Sequence, residues 1–261
     1  MSGSAGFALV TGASRGIGAA FAMALAAEGR NLLLTARSAD DLAALRARLL
    51  RPGIAIHCLP EDLRSHGATR LLDEIERRGW EVDLLVNNAG LGSGGEFTNL
   101  DLEREHEILK VNVAALVELT HGCAPAMRAR GRGAILNVAS TASFQPVPYL
   151  ATYAASKAFV LSFSLALREE MRRDGVHVMA LCPGPTRTDF FRVAGVAPRP
   201  GPMPAPEEVV AEGLRGLRRR RAVVICGAGN RVMIAAERLL PRTLQARVVA
   251  AMMRSWRKAG E

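Results

Sequence analysis

Only two of the 261 residues are tyrosines, Tyr149 and Tyr153, and only three are lysines, Lys110, Lys157 and Lys258, against 31 arginines. A chain that uses arginine almost everywhere reserves lysine for what a planar guanidinium does poorly. Lys157 follows Tyr153 by four residues in a stretch with helical patterning, so the two side chains share a face. A free phenol titrates at about pH 10, too high for efficient proton exchange at neutral pH. A neighbouring ammonium favours the phenolate and is expected to lower that value, while its three donors can also hold sugar hydroxyls. Tyr149 has no lysine four residues on. Upstream, Ser140 ends the apolar run Ile135-Leu136-Asn137-Val138-Ala139 and offers a hydroxyl to a carbonyl oxygen. A serine at a strand end says little alone. Beside Tyr153 and Lys157 it suggests proton transfer at a carbonyl or carbinol oxygen.

A second constellation lies near the N-terminus. The run Phe7–Val10 leads into Thr11-Gly12-Ala13-Ser14-Arg15-Gly16-Ile17-Gly18 and then a helical pattern. Glycines at the first strand-to-helix turn let the backbone approach a pyrophosphate, and the helix N-terminus supplies unpaired N–H groups. A plain tight turn explains three glycines there less well. After the second strand, an adenine dinucleotide with a free ribose calls for a carboxylate. Here the chain reads Thr35-Ala36-Arg37-Ser38. Arg37, with Arg15 from the glycine turn, suits a 2′-phosphate instead, which points to NADP(H) over NAD. A solvated loop arginine is the alternative for Arg37. Asp40 and Asp41 read as helix-start acids.

These residues need a scaffold. Short apolar runs (Phe7–Val10, Asn31–Thr35, Ile54–Leu59, Asp83–Val86, Ala134–Val138, Val176–Leu181, Ala222–Cys226) alternate with helical patterns near 16–28, 39–50, 65–79, 101–129, 150–173, 206–218 and 230–258. Near-continuous apolar strands separated by helices predict an α/β fold with a doubly wound parallel sheet, the Rossmann fold, in a single domain. Only the proline-rich stretch 183–205 resists assignment. It follows a strand end, where open sheets bind ligands, and such long irregular segments are usually functional.

With 49% hydrophobic and 23% charged residues, the composition excludes a disordered or fibrous protein. The net charge of +9 is local: residues 211–261 carry twelve Arg/Lys against three Asp/Glu, whereas residues 1–210 carry 22 of each sign. A neutral body argues against nucleic acid as the partner. Cys58, Cys123, Cys182 and Cys226 form no CxxC pair and sit in or beside apolar stretches, as free thiols do in a reducing compartment. No metal site is expected. The short uncharged N-terminus and the lack of a long apolar run lead us to expect a soluble, cytoplasmic protein.

Taken in order, the motifs resemble the short-chain dehydrogenase/reductase family over residues 6–227. Thr11–Gly18 matches its TGxxxGxG turn. Asp62-Leu63, Asn87-Asn88-Ala89-Gly90, Asn112, Ser140, Tyr153, Lys157 and Pro183-Gly184-Pro185-Thr186-Arg187-Thr188 match its further motifs. The resemblance implies a catalytic set of Asn112, Ser140, Tyr153 and Lys157, with Asn112 positioning a proton-relay water. It also implies cofactor contacts from Gly12, Ser14, Arg15, Gly16, Ile17, Gly18, Arg37, Asp62, Leu63, Asn88, Ala89, Gly90, Tyr153, Lys157, Pro183, Gly184, Thr186 and Thr188. The activity it implies is hydride transfer between NADP(H) and a carbonyl or secondary alcohol, in a homo-oligomer. Loss of catalysis, leaving an NADP-binding regulatory or scaffold protein, is the competing reading. Four intact catalytic positions argue against it.

Phe190, Phe191, Val193, Val196 and Met203 in the irregular segment, with Leu91 and Phe144 opposite, suggest an apolar pocket for a hydrophobic ketone, 3-oxoacyl or steroid-like substrate. Residues 228–261 form an extension beyond the family's usual end. Past Pro241, Leu244, Val248, Val249, Met252, Met253 and Trp256 fall on one side of a helical wheel and Arg247, Arg254 and Lys258 on the other. Such a basic amphipathic helix suits packing on the body or a second subunit, or contact with an anionic membrane surface. The Met/Leu stripe favours packing.

Overall fold

The structure is a computed structural model, and it describes residues 6–197, 201–237 and 239–258. The side chains of 255–258 lie outside the described residues, and with them Trp256 and Lys258 of the tail. Seven parallel strands form one sheet in the order β3-β2-β1-β4-β5-β6-β7. They are β1 (Phe7–Thr11), β2 (Asn31–Ala36), β3 (Ile56–Pro60), β4 (Val82–Asn87), β5 (Gly133–Val138), β6 (Val176–Cys182) and β7 (Val223–Ile225). All seven residues of β6 are buried, as a strand covered on both faces requires.

Alternate strand residues serve opposite cores. Ala8, Val10, Leu32, Leu34, Val86, Leu136 and Leu181 point to one face. There they meet α1 (Gly16–Ala27), α2 (Ala39–Leu49) and α8 (Pro206–Arg218), through Phe21, Leu25, Leu42, Leu45, Val210 and Leu214. Leu9, Leu33, Leu85, Ile135 and Val178 point to the other. They pack on α3 (Gly67–Arg77), α5 (Ala115–Ala129) and the base of α6 (Ala151–Met171). This period-two division is the packing that the apolar runs imply.

Two long helical stretches are each divided. Residues 101–129 split into α4 (Leu102–Leu109) and α5, joined by a π-helical turn, Lys110–Ala114. The tail splits into α9 (Ala228–Glu237) and α10 (Arg242–Lys258), with Pro241 at the break. Within the irregular segment lies one short helix, α7 (Phe190–Val193). No helix among the described residues is long and apolar enough to cross a membrane.

Candidate active site

At the C-terminal edge of the sheet a cleft of about 950 Å³ opens across the point where strand order reverses, between β1 and β4. Gly12 and Gly16 line it with φ of 62° and 56°, a left-handed backbone that glycine adopts at little cost. Gly18 does not line it. A Cβ there would stand 2.2 Å from the Gly12 carbonyl oxygen, so Gly18 lets α1 pack against its own entry turn. Helix α1 starts without a side-chain cap and without an acid in its first turn. Its first residues, Gly16 and Ile17, therefore present uncompensated N–H groups at the cleft.

Neighbouring segments brace this turn. Thr11 Oγ1 accepts the backbone amides of Asn88 and Ala89, each at 2.9 Å. The Asn88 side chain donates back to the Thr11 carbonyl at 2.8 Å. From the other side Thr188 closes over the loop, its Cγ2 3.1 Å from where a Gly16 Cβ would be. Arg37 and Arg15 both line the cleft. Arg15 reaches Asp41 at 2.9 Å and Asp189 at 3.9 Å, whereas Arg37 is exposed at the end of β2. Ser14, Leu63, Ala89, Pro183, Gly184 and Thr186 complete this half. Asp62 lines it too, held by Arg64, which also reaches Glu107 at 2.6 Å. The hydrogen bonds from Arg64 keep the Asp62 carboxyl below the usual carboxylate range. Sequence reading missed Arg64, because an arginine two residues from an acid is too common to signal anything. A glycine cradle, an uncapped helix start and two arginines fit an elongated ligand with a pyrophosphate and a further phosphate.

The other half holds the reactive side chains. Ser140 lies two residues past the end of β5, and Tyr153 and Lys157 come from the first turns of α6. All three line the cleft. Lys157 Nζ donates to the Val138 carbonyl at 2.8 Å and lies 5.9 Å from the centre of the Tyr153 ring. The Ser140 hydroxyl is hydrogen-bonded to Tyr153 and accepts the Ala142 amide at 3.1 Å. Ser143 ties the serine's turn to α6, accepting the Ser140 amide and donating to the Lys157 carbonyl at 2.8 Å. Burial pushes Lys157 down to about 8. It also raises Tyr153, against the smaller lowering effect of Ser140. This departs from the expectation that the ammonium lowers the tyrosine. Desolvation dominates both groups, so Tyr153 is a neutral phenol that holds its proton.

Asn112 sits buried on the π-helical turn and does not line the cleft. It accepts the Leu91 amide at 2.8 Å and donates to the Leu91 carbonyl and Ser156 Oγ, both at 2.9 Å. Its side chain is thus committed to the loop after β4. Gly90 in that loop keeps room above the lysine, since its Cβ would stand 3.3 Å from Lys157 Nζ. Below, Asn87 donates to Thr120 and Asn137 at 3.0 and 2.9 Å, and Asn137 donates to Ser164 at 2.9 Å. The clue to this buried chain was an asparagine inside an apolar strand.

Beyond Tyr153 the cleft turns apolar. The Phe190 ring lies 5.0 Å from that of Tyr153, and Phe191, Leu91, Val193 and Val196 extend the wall. Phe144 and Met203 do not line it. The cap at Ser140 winds Thr141–Phe144 into a short turn, and Phe144 packs on Leu116, Ala139, Val160 and Ala180 instead. Gln145, Val147 and Leu150 stand in its place. The remaining wall comes from the tail: Met233 and Glu237 of α9, and Val249, Met252 and Met253 of α10. Helix α9 comes this close because residue 184 is glycine, since a Cβ there would meet Asn230 Nδ2 at 2.5 Å. The Gln145 amide nitrogen faces the Glu237 carboxylate at 2.8 and 3.0 Å, and burial raises that carboxyl. Gln245 fixes α10, donating to the carbonyls of Glu237 and Leu240 at 2.6 and 2.9 Å. Burial pushes the thiols of Cys123, Cys182 and Cys226 up to about 12, which leaves them unreactive. Among the described residues no cluster of three or more His, Cys, Asp or Glu could hold a metal ion.

The short chain dehydrogenase family matches residues 6–196. Ketoacyl reductase HetN of Nostoc is 33% identical over 72% of this chain and 69% of its own length. A very-long-chain 3-oxoacyl-CoA reductase of Pyrenophora tritici-repentis is 37% identical over 67% of this chain, which spans about half (53%) of that longer relative. A short-chain dehydrogenase from Sphingobium yanoikuyae, solved in complex with NADPH, superposes with a TM-score of 0.81. It is 33% identical, with 90% of this chain and 93% of that one covered. The chain therefore belongs to the short-chain dehydrogenase/reductase family, a family of nicotinamide-dependent oxidoreductases acting at carbonyl and alcohol carbons.

Proposed function

We propose that this protein is an NADP(H)-dependent reductase of a hydrophobic carbonyl compound, a ketone, 3-oxoacyl or steroid-like molecule. The observation that carries this reading is the meeting of Ser140, Tyr153 and Lys157 at the junction of a phosphate-binding half-cleft and an apolar one. When bound, the nicotinamide nucleotide supplies or accepts a hydride at the substrate carbon. In the reductive direction Tyr153 gives its phenolic proton to the oxygen as it becomes an alkoxide. Ser140, whose oxygen already accepts the Ala142 amide, turns its hydroxyl proton to the same oxygen. Lys157 holds the nicotinamide-side ribose and resupplies a proton to Tyr153. Asn112 acts as a positioning residue by fixing Leu91 beside Gly90.

NADP(H) over NAD(H) rests on Arg37 and Arg15 and on the lack of a carboxylate in the cleft at the end of β2. The substrate class rests on the apolar wall from α7, α9 and α10, and long acyl chains are named for the Pyrenophora relative. We place residues 1–227 as the catalytic unit and 228–261 as an extension that completes its pocket. Exposed Leu102 and Leu109 on α4 and Phe159 and Leu165 on α6 support a homo-oligomer formed through that face. Free thiols support a reducing, cytoplasmic setting. The decisive experiment is Tyr153→Phe, assayed by NADPH oxidation against aliphatic, aromatic, steroid and 3-oxoacyl carbonyls. The wild type should turn over at least one of them, and the variant should bind NADPH normally yet lose turnover about a thousandfold. Unchanged turnover would remove the mechanism.

A further inference from the structure

The tail has a second face, turned away from the cleft. On α9, Val232 is 71% exposed, and the connecting turn carries Leu239 at 86%. Ala235 and Ala236 are exposed beside them. On α10 the buried positions Gln245 and Met253 face the body, while Leu244, Val248 and Met252, one helical turn apart, are each more than two-fifths exposed. Among the described side chains of this unit the cations, Arg231, Arg242, Arg247 and Arg254, are all exposed. Among its described side chains the one acid, Glu237, turns inward to line the cleft. Arg231 meets Glu212 of α8 at 3.8 Å, whereas Arg242, Arg247 and Arg254 form no ion pair among the described residues, so the outward surface is apolar side chains among a net positive charge.

We propose that the outward face of α9 and α10 is a docking surface for an anionic lipid bilayer. Charge decides between the occupants of such a face. A second copy would bring two sets of Arg242, Arg247 and Arg254 together, with Glu212 already taken up by Arg231, and a large like-charge face disfavours self-association. The apolar face on α4 and α6 is available to a second copy. An anionic bilayer supplies both complements, lipid charge for the guanidinium groups and acyl chains for Val232, Leu239, Leu244 and Val248. Met252 belongs to this stripe and also lines the cleft, so the docking surface borders the pocket mouth.

The full-length protein is sedimented with vesicles of phosphatidylcholine alone or with phosphatidylglycerol. Binding to the anionic vesicles, weak binding to the neutral ones, and release by salt are expected. Leu244→Asp with Val248→Asp should cut the partition coefficient about tenfold or more, because each carboxylate replaces a side chain that enters the acyl region. Arg247→Ala with Arg254→Ala, changes at exposed sites that leave packing intact, should cost about tenfold through lost charge. Both double variants should bind NADPH as the wild type does. Failure to bind anionic vesicles, or binding unchanged by either double variant, overturns the proposal. Self-association that depends on Leu244 and Val248, without vesicle binding, overturns it in favour of a second copy. The assay needs no turnover, so its failure and failure of the reductase reading are separable.

Discussion

Lys157 is a costly buried charge, and replacing it should change the stability of the fold in a pH-dependent way. Its side chain is 5% exposed, and burial brings it from 10.5 to about 8. Between those values the unfolded chain binds a proton that the folded one does not, so this group makes stability rise with pH from about 8 to 10.5. Below pH 8 the lysine is charged in both states and its burial costs the fold about 3 kcal/mol, from 2.5 pKa units at 1.36 kcal/mol each. By pH 9.5 about 2 kcal/mol of that cost is gone. Lys157→Met removes the charge and keeps the volume, while leaving the Val138 carbonyl without its donor. That loss, about 1–3 kcal/mol, does not vary with pH. The difference in unfolding free energy, variant minus wild type, should thus fall by about 2 kcal/mol between pH 7 and pH 9.5, whatever its absolute size. Urea titrations of both proteins at both pH values measure it. An equal difference at the two pH values would refute the claim that the fold holds a costly ammonium here. The variant should also have no turnover, which separates the stability of the site from its use.

Three other perturbations address separate parts of the site. Arg37→Asp should move the ratio of kcat/KM for NADPH over NADH toward NADH by about a hundredfold, from the loss of a charge-assisted contact and the gain of a repulsion. An unchanged ratio contradicts the 2′-phosphate assignment. Gly18→Ala places a methyl 2.2 Å from a backbone oxygen, so α1 must shift. A loss of about 1–3 kcal/mol in stability together with weakened NADPH binding is expected in a urea titration and a fluorescence titration, and neither effect should accompany Gly229→Ala, where the space is open. Met233→Ala with Met253→Ala should raise KM for apolar carbonyls about tenfold or more while leaving NADPH affinity unchanged, since both side chains lie on the tail's wall of the cleft. A KM that does not move would show that substrates bind without the tail.

Much of this site was legible because its chemistry is local in sequence. Tyr153 and Lys157 are one helical turn apart, and the glycine turn is a run of eight residues. The period-two alternation of apolar residues likewise fixes which strand side chains meet which helices. What the chain does not display is long-range geometry and desolvation. Ammonium and phenol near one another suggest a lowered tyrosine only if water is absent from the reckoning. The fold buries the lysine and half-buries the tyrosine, and desolvation reverses the sign. Phe144 has the composition of a pocket residue, yet the cap at Ser140, four residues upstream, turns it into the core. Asn112 reads in sequence as a residue that positions a water, and its pairing with both backbone groups of Leu91 is a long-range contact that the sequence does not display.

The tail shows the same limit most clearly. Its amphipathic pattern was visible, but one wheel diagram cannot assign two partners. The fold divides the apolar arc: Val249 and Met253 close the cleft, while Leu244 and Val248 stay outside with the arginines. The inner part of the arc meets the enzyme's own pocket, and the outer part is the face proposed to meet an anionic bilayer. Changes on the inner edge should therefore alter KM without altering surface binding, and changes on the outer edge should do the reverse.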